Sequence, residues 1–190
     1  MPENPNPQGK GLVPVLATLH ETRAMAAAVP PKHIEQISHE LFTSLFVLES
    51  EFKFRPVPDR SYWLYRKNGR FWLSPVGPHE WGPEIYGQLI GECELQRDMT
   101  WTLELSEDAA GDTDLLAWLE EKKRRFDREI EDVEAVEDIL PGYRAEFGFY
   151  RRAYAFALAH SLGASMDKSG IRQLSWKQAR GLIEDNTRET

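Results

Sequence analysis

The sequence predicts an α+β fold: a small antiparallel sheet of about four strands packed on a long helix, followed by a helical C-terminal lobe. Three observations predict it. Apolar residues recur at spacings of three and four from His33 to Phe52, at spacings of two from Tyr62 to Leu105, and again at three and four after Gly111-Asp112-Thr113. The middle block also holds four of the six tryptophans (Trp63, Trp72, Trp81 and Trp101), with Tyr62, Tyr65, Phe71 and Tyr86 among them. It is the structural heart of the chain.

The chain opens on a Pro-, Asn- and Gly-rich arm to about residue 11, which cannot bury much. Leu12-Val13-Pro14-Val15-Leu16 reads as a short edge strand, since proline is tolerated in a sheet only at an edge. A weak helix over His20 to Ala28 ends at Pro30-Pro31.

The long helix is the clearest element. Ile34, Ile37, Leu41, Leu45, Leu48 and Phe52 form one stripe, and Phe42, Phe46 and Val47 widen it, so it should be covered on more than one side. Pro56 and Pro58 forbid its continuation.

Asn68-Gly69 then joins two alternating runs. A type I′ turn needs positive φ at both central residues, which Asn and Gly supply most cheaply. The register follows: Lys67 faces Arg70, Arg66 faces Phe71, Tyr65 faces Trp72 and Leu64 faces Leu73. One face carries Tyr62, Leu64, Arg66, Phe71 and Leu73, the other Trp63, Tyr65 and Trp72. Both faces want cover, one from the long helix; the other is either covered by C-terminal helices bearing Phe147, Tyr150 and Tyr154 or, framed by Lys67 and Arg70, serves with the Pro78-to-Trp81 loop as a docking surface.

A breaker-rich loop runs from Pro75 to Pro83. A third strand spans Ile85 to Leu95, with Gly87, Leu89, Gly91, Cys93 and Leu95 on one face, where small residues allow close approach. After a turn at Gln96-Arg97-Asp98, Trp101 to Leu105 forms the fourth strand. Leu115, Leu119, Phe126, Ile130 and Val133 stripe a helix that Pro141-Gly142 ends. Tyr143 to Leu162 forms another, stopped at Gly163, and Ser175 caps a last short helix. The expected division is an arm with a short helix over 1–32, a helix-plus-sheet core over 33–106 and a helical lobe over 107–190.

The strand from Tyr62 through Trp63, Leu64 and Tyr65 to Arg66, then Gly69, Ser74, the Pro78, Glu80, Trp81, Gly82 loop, Gly91, and finally Leu95, Asp98 and Trp101 form an ordered pattern. Over about residues 61–105 it resembles the domain-of-unknown-function 2452 family. The chain departs from that pattern at Pro75 and Gly77. The resemblance implies a shared scaffold and no particular activity.

Charge narrows the function classes. A formal net charge of −8 argues against nucleic acid and against an anionic membrane surface, both of which attract basic proteins. One cysteine, Cys93, excludes an internal disulfide and reads as a small buried filler in a reducing, cytoplasmic setting. The amino-terminal residues do not read as a signal peptide.

Chemistry is sparse. His79-Glu80 is the most enzyme-like pair, but adjacent residues point apart, and Glu80 fits better as an acceptor for loop amides. The histidines are scattered, Glu35 and His39 read as helix-surface neighbours, and no metal or other cofactor is expected. Ser74 lacks a nucleophile setting and Gly9-Lys10-Gly11 is too weak for a phosphate loop. Asp98 reads as an Asx-turn former. The acidic run from Glu131 to Asp138 reads as a solvated helix end.

The expectation is therefore a non-catalytic binding or protein-interaction module, with an unidentified protein or small ligand as its partner. Its candidate binding residues are Trp63, Tyr65, Arg66, Trp72, His79, Glu80, Trp81 and Asp98. The alternative is a small-molecule enzyme with Glu80, Asp98, Arg66 and His79 gathered between sheet and helical lobe.

Overall fold

The computed structural model describes residues 29–142 and 146–188, with side chains to residue 182. The arm, the Leu12–Leu16 strand, the His20–Ala28 helix and the expected helix start at Tyr143 lie outside the described residues.

Helix α1 (Ile34–Glu49) begins where the His33 imidazole accepts the Gln36 N–H. It ends three residues earlier than the apolar stripe suggests, because Ser50 turns back onto the Val47 carbonyl. That turn releases residues 50–52 to run beside the sheet, and Phe52 is buried there rather than on the helix.

Strands β1 (Ser61–Lys67) and β2 (Arg70–Ser74) pair in the predicted register, from Trp63 opposite Ser74 to Lys67 opposite Arg70. Asn68 and Gly69 have φ of 52° and 74°, the left-handed pair that the turn demands. Strand β3 (Gln88–Leu95) starts later than predicted, because Pro83–Tyr86 forms a short helix, α2. With β4 (Trp101–Leu105) the sheet is fully antiparallel, in the order β2-β1-β3-β4.

The expected alternation in β3 breaks at Ile90. Leu64 pairs with Gly91 and Tyr65 with Leu89, so Ile90 is the extra residue of a bulge and is fully buried. Leu89 consequently faces away from Gly91, Cys93 and Leu95. The close neighbour of Gly91 is β4 itself: a Cβ there would lie 2.1 Å from the Glu104 carbonyl oxygen.

The two edges of the sheet differ. Along β2, Glu51 accepts from the Leu73 N–H and donates to the Phe71 carbonyl, closing that edge in parallel fashion. Along β4, Trp101 donates its backbone N–H to the Ser44 hydroxyl of α1 at 2.9 Å. Beyond Trp101 no described residue pairs with that edge.

Helices α3 (Glu107–Gly111) and α4 (Thr113–Asp132) follow, capped by Ser106 and Asp112. A 3₁₀ turn at Val136–Ile139 then takes up the end of the acidic run. Helix α5 (Phe149–Ser169) passes through Gly163 and stops instead at Gly170, whose φ of 67° makes the left-handed cap. Helix α6 (Trp176–Arg188) is capped by Ser175.

One apolar core joins these parts. Ile34, Ile37, Leu41 and Leu48 of α1 meet Tyr62, Leu64, Cys93, Leu95 and Trp101 of the sheet as well as Leu158, Leu162 and Met166 of α5. Each fully buried side chain of this size contributes roughly 1.5–3 kcal/mol. The wide stripe on α1 has its explanation here, since the sheet and α5 both pack on that helix. Cys93 is fully buried, and burial pushes its thiol pKa up.

Candidate functional site

The eight residues singled out from sequence separate into three places. Trp63, Tyr65, Trp72, His79, Glu80 and Trp81 share the sheet face opposite α1. The expected cover for that face, Phe147, Tyr150 and Tyr154, is elsewhere: Tyr154 donates its hydroxyl to the Pro56 carbonyl, and Phe147 joins the main core. The cover comes from residues 75–87. Tyr65 is 0% exposed, with Trp72, Trp81 and Tyr86 centred 5.2, 5.9 and 4.7 Å away.

Hydrogen bonds hold this loop in place. Ser74 Oγ accepts the Val76 N–H, and Glu80 Oε1 accepts the Gly77 N–H at 3.0 Å, the loop-amide role expected of that carboxylate. The Tyr65 hydroxyl donates to the Val76 carbonyl and accepts from the Trp81 indole. Lys67 reaches across to the carbonyls of Glu84 and Ile85 at the end of α2, where a cation suits the helix end. Burial raises the Tyr65 phenol pKa, although the Trp81 bond opposes it. His79 is exposed and meets the Trp63 ring edge-on. This aromatic cluster is a satellite core under its own loop.

Arg66 lies on the other face. Its guanidinium bonds Asp112 at 2.9 Å, and Asp112 also accepts from Gln88 and from the Leu115 N–H that it caps. The Leu115 bond and then the Gln88 bond hold the Asp112 carboxyl below its usual pKa. Arg66 thereby ties the sheet to the start of α4.

Asp98 stands at the far end of β4 and forms the expected turn, its Oδ1 accepting from the Thr100 N–H and hydroxyl at 3.1 and 2.6 Å. Its Oδ2 receives Lys32 Nζ at 2.6 Å, and Lys32 also donates to Glu40 of α1. Burial acts against both charges. The hydrogen bonds outweigh it, so the Lys32 pKa is raised and the Asp98 pKa lowered. Glu80, Asp98, Arg66 and His79 therefore do not converge.

Asp98 is the one predicted residue that borders a wide cleft. This open cleft of about 1220 Å³ runs between α1, β4 and α4. Its walls are Phe42 and Phe46 from α1, Leu103 and Leu105 from β4, and Leu119 from α4. Lys32, Glu40, Arg97 and Asp98 make a charged head beside His39, where Val29 and Pro30 also enter the lining.

The cleft exposes main chain. The Gln96 N–H bonds the Thr100 carbonyl and the Ser106 N–H bonds the Ile90 carbonyl, so even-numbered β4 residues turn their backbone groups toward β3. Trp101, Leu103 and Leu105 turn theirs outward. Ser44 satisfies Trp101. Among the described residues nothing bonds the outward groups of Leu103 and Leu105.

Sequence reasoning missed Lys32, Phe42, Phe46, Leu103, Leu105 and Leu119 as neighbours. The available signal was the half-buried alternation of Leu103 and Leu105 in a last strand with no successor to pair with.

Among the described residues, no group of three or more His, Cys, Asp or Glu side chains is placed to hold a metal ion. No described helix is long and apolar enough to cross a membrane. Residues 43–119 match a family described as Protein of unknown function (DUF2452), the family that residues 61–105 resemble. The matched stretch takes in the C-terminal part of α1, the whole sheet and the first part of α4. It includes Phe46, Leu103, Leu105 and Leu119 of the cleft but not Lys32, His39 or Glu40. No solved structure matches the chain.

Proposed function

We propose that the chain is a non-catalytic interaction module whose cleft takes an extended, apolar segment of a partner protein as an added strand on β4. The open edge carries this reading. Leu103 and Leu105 present N–H and C=O groups two residues apart that no described residue bonds, beside apolar walls from Phe42, Phe46 and Leu119. Main-chain pairing supplies affinity in such a groove, and alternate side chains supply selectivity. The groups that acid-base chemistry would need are spent on structure: Glu80 on a loop amide, Arg66 on Asp112, and Asp98 on Lys32 and Thr100.

Peptides selected from a displayed random library against the full chain test the reading, rescored against Leu103→Pro. That substitution removes an outward N–H and no bond to β3, a position where an edge strand tolerates proline. Selected peptides should carry aliphatic residues two apart and bind the variant about 10-fold or more weakly. Failure to select any, or peptides indifferent to both Leu103→Pro and Phe42→Glu, overturns the proposal.

A further inference from the structure

We infer that the partner segment taken up by β4 is two-faced: apolar where it meets Phe42, Phe46 and Leu119, and basic, with Lys or Arg, on its other side. The inference rests on the docking reading of the same cleft and adds the chemistry of the sheet face turned away from it. Side chains alternate along β4, so Leu103 and Leu105 lie on the α1 side while Thr102 and Glu104 lie on the opposite face. There the register sets Glu92 of β3 directly opposite Glu104, and Glu94 opposite Thr102. Glu92 and Glu104 are exposed, and among the described residues no basic side chain pairs with Glu92, Glu94 or Glu104. Like charges directly opposite each other across a ladder are destabilising.

Across the sheet that row runs Ser74, Trp63, Glu92, Glu104, and it contains no cation. The next place in the row belongs to the docked strand. A strand that pairs with the outward groups of Leu103 and Leu105 sets its intervening residue opposite Glu104, with Cβ atoms about 4.5–5.5 Å apart. Lys or Arg there meets Glu104 and offsets its repulsion with Glu92. An acidic residue would add a third carboxylate to the row. A second copy of the chain is disfavoured on the same ground. Antiparallel pairing through both outward residues sets Leu103 of each copy against Leu105 of the other, and so brings the two Glu104 side chains together. The formal net charge of −8 steers basic segments toward the molecule as a whole.

The peptides selected against the full chain test this by their sequence and by charge exchange. They should carry Lys or Arg between the two aliphatic residues, and replacing it by Gln should weaken binding to wild type about 3-fold or more at low salt. The variant Glu92→Gln/Glu104→Gln should bind the Lys and Gln peptides alike, and should unfold at a urea midpoint no lower than wild type, since a repulsion has been removed. Glu104→Lys should reverse the order and favour a peptide with Glu at that place. Selected peptides without a basic preference, yet weakened by Leu103→Pro, overturn the inference and leave the docking reading standing. A preference for Lys that survives in the double Gln variant also overturns it, because these carboxylates are then not its source. If no peptide is selected, both readings fail.

Discussion

The Ser44 hydroxyl accepts the Trp101 backbone N–H at 2.9 Å while donating to the Glu40 carbonyl one turn back. A helix side chain thus ends the free edge of β4 and sets where the open part begins. Both groups are buried, so Ser44→Ala leaves an N–H with neither water nor partner. The expected loss is about 1–3 kcal/mol, read as a lower urea midpoint at unchanged slope. A shift within error would mean that the bond contributes nothing.

Lys32 and Asp98 predict a pH window. The Asp98 pKa is depressed on folding, so its contribution is complete above the unfolded value and lost as pH falls through the folded one. The Lys32 pKa is raised, so its contribution is complete below 10.5 and lost as pH rises through the folded value. Asp98→Asn should cost about 1–2 kcal/mol at neutral pH, discounted for the part of the carboxylate that water reaches. The gap to wild type should close in acid below about pH 4. Urea midpoints from pH 2.5 to 7 check this, and a gap that persists in acid contradicts it.

Gly91→Ala should be among the most damaging single changes. The added methyl would meet the Glu104 carbonyl carbon and oxygen, backbone that cannot move without shifting β4. A loss of about 3 kcal/mol or more is expected, measured by chemical unfolding, with resonance changes concentrated in β3 and β4.

Trp81→Ala should expose the satellite core. Trp81 packs on Tyr65 and Trp72 with centroids 5.9 and 5.4 Å apart, and truncating such a ring costs roughly 3 kcal/mol. Burial is the main reason that the Tyr65 pKa is raised, and it outweighs the Trp81 bond that lowers it. Uncovering the ring should therefore bring the Tyr65 titration down toward about 10, visible in ultraviolet absorbance. An upward shift would show that the hydrogen bond matters more than the cover.

What was legible in sequence was local. Asn68-Gly69 determined the hairpin register because the turn conformation allows few alternatives, and Asp98 revealed its turn because the donors it accepts from lie two residues on. Gly163 misled, since a glycine inside a helix is only mildly costly, and the left-handed stop lay at Gly170. The aromatic cover was assigned to the wrong segment because Trp81 and Tyr86 reach Tyr65 only after Pro75–Gly87 folds back. The cleft was invisible for a deeper reason. It exists because β3 inserts between β1 and β4, and because α1 and α4, distant in sequence, stand on either side of the last strand.

The closing of the β2 edge by Glu51 has a consequence for assembly. A sheet open at both margins can recruit one neighbour on each side and propagate into a fibre. Among the described residues, one margin is stopped by the chain's own main-chain bonds, and the other is stopped at Ser44 and open beyond it. If a partner strand docks on β4 as proposed, association through the sheet should terminate at a single pair.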